Sequence, residues 1–142
     1  MSKLAFIFPG QGAQKAGMGK DFYENSEAAR SFFDNAQKIL DFDLKEMCFG
    51  EHEELNLTEY TQPCMVSVCL AIVQELKKRG ITPDITAGLS LGEYAAVAAA
   101  GGMNELDAIK LVRRRGILMQ STVPAGEGAC LLYTSPSPRD RG

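Results

Sequence analysis

The stretch Gly88-Leu89-Ser90-Leu91-Gly92 sets a serine between two glycines at G-x-S-x-G spacing. A serine hydroxyl acts as a nucleophile when a strained strand-to-helix turn lifts it clear of the chain and a base takes its proton. Glycines on either side remove the side chains that would collide in such a turn. Free N–H groups at the start of the following helix can then hold a developing oxyanion. The run "DITAGL" before Ser90 and the run "LGEYAAVAAA" after it read as the strand and helix that this turn requires. A base is harder to find. The single histidine, His52, lies in "EHEE" between Glu51 and Glu53, without apolar neighbours to hold its ring. It reads as a surface residue.

Two other segments could do chemistry. "GQGAQKAGMGK" follows the apolar run "KLAFIF" but fails as a phosphate cradle. A dinucleotide fingerprint starting at Gly10 needs glycine where Lys15 stands, and a P-loop from Gly12 to Gly17 needs lysine where Met18 stands. The loop still brings its backbone and the Gln11 amide to the carboxyl end of the first predicted strand. Ser90 lies at the matching end of the second, and ligands bind at such ends in open α/β sheets. The second segment is Arg113-Arg114-Arg115. Successive helical residues rotate by about 100°, so the three point different ways. Arg114, one turn from Lys110, falls on a solvated side. Arg113 is in line with Ile109 and Ile117, and Arg115 with Leu111 and Met119. Spacing leaves both as candidates for a partly buried anion site.

Composition narrows the class. The chain has 142 residues, 45% hydrophobic and 23% charged, which suits one globular domain. A net charge of −3 disfavours nucleic acid as a partner. The longest apolar run, "CMVSVCLAIV", is too short to cross a bilayer, and "MSKLAFIFPGQG" lacks the features of a signal peptide. Cys48, Cys64, Cys69 and Cys130 show no metal-binding spacing and read as reduced cytosolic thiols filling a core.

The positioning elements follow from periodicity and caps. Ser26 begins a helix to about Leu40, with Ala29, Phe32, Phe33, Ala36, Ile39 and Leu40 on one face. Asp43 starts a short helix over 43–48. A long helix is expected to begin near Pro63, a favoured first-turn residue, and to end at Lys77-Lys78-Arg79-Gly80. Asn104 with Asp107 resembles a capping arrangement for a helix to about Gln120. Strands separated by helices predict an α/β protein with a parallel sheet. Two strands alone make a meagre one.

"FPGQGAQKAGMG", "TQP", "GLSLGEYAA" and "RRRGILMQSTVPAGEGA" occur in the order and at the spacing of the malonyl-CoA:acyl carrier protein transacylase family of fatty-acid biosynthesis. The sequence resembles that family from residue 3 to about Ala129. Acyltransferase domains of polyketide synthases share the pattern, and a start at Met1 is expected of the free-standing transacylase. The resemblance implies Ser90 as nucleophile, the backbone N–H groups of Gln11 and Leu91 as oxyanion hole, and Arg115 as the ligand of the malonyl carboxylate. It places Gln62 of "TQP" near the same pocket. Leu89 stands where many relatives carry a histidine beside the nucleophile, one that is not the base. The implied partners are malonyl-CoA and acyl carrier protein, without cofactor, metal, membrane or nucleic acid. The implied setting is the cytoplasm, with a monomer at full length.

The family's catalytic histidine lies well downstream of the serine, so it is absent from this chain. The resemblance therefore predicts a partial α/β-hydrolase-like parallel sheet flanked by helices, cut before the later strands and the small inserted subdomain. Residues 1–129 would be the N-terminal part of the large subdomain, and 130–142 a tail foreign to the family. As it stands, the chain is expected to be inactive. Two other readings compete: a serine esterase of α/β-hydrolase type, which leaves "GQG" and Arg115 idle, and a non-catalytic fragment that binds carrier protein.

Overall fold

The computed structural model describes residues 2–128. Ala5–Phe8 forms strand β1 and Ile85–Gly88 forms strand β2, paired in parallel with Ala5 opposite Ile85 and Phe8 opposite Gly88. A parallel pair needs a long crossover. Helices fill it: α1 (Lys20–Asn25), α2 (Glu27–Ile39), α3 (Leu44–Phe49), a 3₁₀ turn over Glu53–Asn56, and α4 (Thr58–Lys78). α5 (Gly92–Ala99) and α6 (Glu105–Thr122) follow β2. The α/β class with a small parallel sheet is as the sequence predicts.

The caps are local and strong. Ser26 Oγ accepts the Ala29 N–H at 3.1 Å, and Asp43 Oδ1 accepts that of Glu46 at 3.1 Å. Asn104 Oδ1 accepts from Leu106 at 2.9 Å and Asp107 at 3.2 Å. Each such cap stabilises its helix by about 1 kcal/mol. α4 runs through the middle of the molecule. Every residue from Thr61 to Val68 is buried, so its sequence is apolar on all sides rather than striped.

The start of α4 corrects the expectation. It begins at Thr58, with Pro63 inside the helix. Proline has no N–H to give the carbonyl four residues back and pushes that carbonyl aside. Here the carbonyl is that of Glu59, and Arg113 Nη1 donates to it at 2.7 Å. A side chain from another helix closes the gap, so the helix continues through its proline. α1 and the 3₁₀ turn have no counterpart among the expected elements. Cys48, Cys64 and Cys69 are free thiols, the first two buried, while Cys130 lies outside the described residues. Burial pushes the Cys69 thiol up to about 11, which suppresses its thiolate.

One side of the sheet is bare. Ile7 is 78% exposed and Ile85 57%. An apolar cavity of about 440 Å³ opens between β1 and α4, lined among others by Phe6, Phe8, Met65, Cys69 and Ile72. Among the described residues β1 and β2 are the whole sheet.

Candidate active site

The turn between β2 and α5 is built by what its glycines omit. A Cβ at Gly88 would lie 2.1 Å from the Gly92 carbonyl carbon, and one at Gly92 would lie 2.3 Å from the Phe8 carbonyl oxygen. Neither position admits a side chain. The serine between them has φ 50°, the only positive φ at a non-glycine among the described residues. Such a conformation costs energy and recurs where geometry serves function. Ser90 is exposed, Leu89 is 52% exposed, and Leu91 is 1% exposed and anchors the turn from below. α5 starts at once: Gly92 and Glu93 donate to the carbonyls of Leu89 and Ser90 at 2.9 and 3.1 Å. The Leu91 N–H donates to no acceptor among the described residues.

The arginine beside the turn is Arg115. Its Nη2 donates to Ser90 Oγ over 3.4 Å, and its Nη1 donates to Gln62 Oε1 at 2.9 Å. Gln62 is fully buried. Guanidinium carries only donors, so the amide oxygen of Gln62 faces Arg115 and its Nε2 turns to Met119 Sδ at 3.2 Å. The Tyr94 ring supports the guanidinium, with Arg115 Cζ 5.4 Å from its centroid. Among the described residues no carboxylate pairs with Arg115. Gly116 brings the helix this close, because a Cβ there would lie 2.8 Å from the Thr58 carbonyl oxygen. α6 thus meets the N-terminal turns of α4 backbone to backbone, and the residue before the glycine reaches Gln62.

The Gln11 loop sits on the same rim. Gly10 backs onto the elbow, since a Cβ there would lie 2.9 Å from the Leu89 carbonyl oxygen. The Gln11 side chain turns to Thr58, its Nε2 donating to Oγ1 at 2.9 Å. Thr58 N–H donates in turn to Gln120 Oε1 at 3.0 Å. Loop, α4 and α6 are tied in series, and the Gln11 backbone N–H finds no acceptor among the described residues. His52 stays out of the site: its Nε2 pairs with Glu46 Oε1 at 3.0 Å, and its side chain is 33% exposed, so the ring is steadied by a carboxylate rather than free in solvent. Arg114 is exposed.

The model of the acyl transferase domain matches residues 5–140. This chain belongs to that family. The malonyl CoA-acyl carrier protein transacylase of Bacillus subtilis (strain 168) is 51% identical over 130 residues, which are 91% of this chain and 41% of the relative. The corresponding crystal structure from Clostridium perfringens superposes with a TM-score of 0.82 at 44% identity, over 88% of this chain and 40% of that one. A structure described as a type II PKS acyl-carrier protein in complex with its malonyl-transacylase gives 0.82 at 40% identity, over 88% and 41%. The chain spans about two fifths of the length of the relatives it matches.

Within this acyl transferase domain, Ser90, Arg115 and Gln62 meet directly, with Leu91 adjoining. Tyr94, Met119, Thr58 and Gln120 join them and were not singled out in the sequence. A signal existed for two. Tyr94 follows Ser90 by one helical turn, and Met119 follows Arg115 by one.

Proposed function

We propose that this chain carries the nucleophile-bearing part of a malonyl-CoA:acyl carrier protein transacylase of fatty-acid biosynthesis, acting in the cytoplasm and monomeric at full length. Ser90 Oγ attacks the malonyl-CoA thioester carbonyl. The N–H groups of Leu91 and Gln11 receive the oxyanion, and coenzyme A leaves as the thiol. The phosphopantetheine thiol of acyl carrier protein then attacks the malonyl-serine ester and restores Ser90. Arg115 grips the free malonyl carboxylate through parallel N–H bonds, which acetyl cannot offer. One observation carries the reading: an arginine without an acidic partner among the described residues touches both the exposed serine and a buried glutamine.

Ser90 Oγ meets no base among the described residues. We place the catalytic histidine, the later strands of an α/β-hydrolase-like sheet and a small inserted subdomain in the polypeptide by which the relatives exceed this chain. Residues 1–129 are then the N-terminal part of the large subdomain, and 130–142 a tail outside it, although the family match runs on to residue 140. The chain alone should not turn over, since loss of a triad histidine costs on the order of a millionfold. The test joins residues 1–128 to the C-terminal remainder of the Bacillus subtilis relative. Malonyl-CoA should then place one malonyl group on the peptide holding Ser90, and holo-acyl carrier protein should remove it. Release of free malonate instead would identify an esterase. An unlabelled Ser90 in folded protein would leave a non-catalytic module.

A further inference from the structure

The Tyr94 ring has no part in the transfer as derived above, yet it is the platform on which the Arg115 guanidinium rests. We propose that Tyr94 is a positioning residue for carboxylate recognition: its ring face restrains the guanidinium beside Ser90, where Nη2 already reaches Oγ at 3.4 Å. The proposal rests on the assignment of Arg115 to the substrate carboxylate. Arg115 is a long side chain with many rotamers, and the order it needs must come from its neighbours. Gln62 holds one nitrogen at 2.9 Å, and the Ser90 contact is long at 3.4 Å. A single firm bond leaves the guanidinium free to swing about it. A ring 5.4 Å from Cζ removes that freedom without spending the charge, because a π face attracts the cation but does not neutralise it. A carboxylate at the same place would hold the arginine equally well and block the anion. Tyr94 is itself fixed. It stands in the first turn of α5, its N–H donates to the Leu91 carbonyl at 3.2 Å, and the ring packs against the buried core. The helix that presents Ser90 therefore also presents the platform, one turn further on.

The ring face is what matters, so Tyr94→Phe should preserve the effect and Tyr94→Leu should lose it. NMR of the Arg115 Nε–H and Hδ signals of the completed chain, residues 1–128 joined to the C-terminal remainder of the Bacillus subtilis relative, titrated with sodium malonate and with sodium acetate, reads it directly. We expect ring-current displacement of those signals in the parent and phenylalanine chains, with malonate bound more tightly than acetate. In Tyr94→Leu the displacement should vanish and malonate affinity should fall about fivefold. Undisplaced signals in the parent chain, or equal malonate affinity in Tyr94→Leu, overturn the proposal and leave the role of Arg115 standing. A parent chain with displaced signals but no malonate-dependent shift overturns the carboxylate assignment and this proposal with it. Should Tyr94→Leu lose its folded amide spectrum, the displacement in the parent chain decides the geometry.

Discussion

Arg113 and Arg115 stand on one helix, two residues apart, and the fold uses them in opposite ways. Arg113 is consumed. Its Nε and Nη2 donate to the two Asp41 carboxylate oxygens at 3.0 and 3.1 Å, and its Nη1 donates to the Glu59 carbonyl at 2.7 Å. Its Cζ lies 5.0 Å from the ring centroids of both Phe42 and Tyr60. Arg115 touches a hydroxyl, an amide and a ring, all neutral. A half-buried cation without a counter-charge is a poor way to stabilise a fold and a good way to receive an anion. Partners, not burial, separate the arginine committed to the fold from the one proposed to bind a carboxylate.

The largest expected effect lies on the Arg115 side. In the completed enzyme, Arg115→Ala should cut the preference for malonyl over acetyl by about thirtyfold to several thousandfold, the usual worth of a buried charged partner. Its cost to folding should be about 1–3 kcal/mol, because the fully buried Gln62 Oε1 loses its donor. Arg113→Ala should spare the selectivity. It orphans the Glu59 carbonyl and frees Asp41, which should cost about 2–3 kcal/mol in urea unfolding and leave the malonyl-to-acetyl ratio unchanged. Equal profiles for the two variants would erase the distinction between them.

The sequence showed the elements better than it showed this pairing. Strands, caps and the elbow are local, written in apolar runs, Ser26, Asp43, Asn104 and the glycines around Ser90, and they stand where expected. Helical spacing left Arg113 and Arg115 level. The groups that distinguish them, Asp41, Glu59 and Gln62, lie more than fifty residues away in the chain. The same distance hid the true start of α4. Pro63 reads as a first-turn residue because the Arg113 side chain that rescues its helix cannot be foreseen locally. The spacing of Tyr94 from Ser90 sets it one helical turn on, but a platform is defined only by what rests on it.

That rescue sharpens the comparison at a smaller scale. Pro63→Ala returns an N–H aimed at the Glu59 carbonyl, so in that background the carbonyl no longer depends on Arg113. Arg113→Ala should then cost about 1 kcal/mol less than it does beside the native proline. Any packing lost with the proline ring cancels in the double-mutant cycle. A coupling energy near zero would mean that Arg113 contributes only through Asp41, the Glu59 carboxylate at 3.7 Å and the rings, and that α4 tolerates its proline unaided.

The smallest effect isolates the Asp41 arm of Arg113. The hydrogen bond from Arg113, larger than the opposing desolvation, holds the Asp41 carboxyl below its usual 3.8. A depressed carboxylate stabilises the fold fully above its unfolded pKa and loses that contribution as pH falls through the lower folded value. Asp41 has a side chain 70% exposed, so solvent screening keeps the effect to a few tenths of a kcal/mol. Compared with Asp41→Asn, the parent chain should be slightly more stable at about pH 7, and the gap should narrow as pH falls below 3.8 and close once it passes the depressed folded value. Arg115 has no carboxylate to titrate among its contacts, so repeating the pair of measurements in the Arg115→Ala background should leave the gap and its pH dependence unchanged. A gap that shrinks there would show that the two arginines share one electrostatic network, and the separation drawn between them would fail at its weakest link.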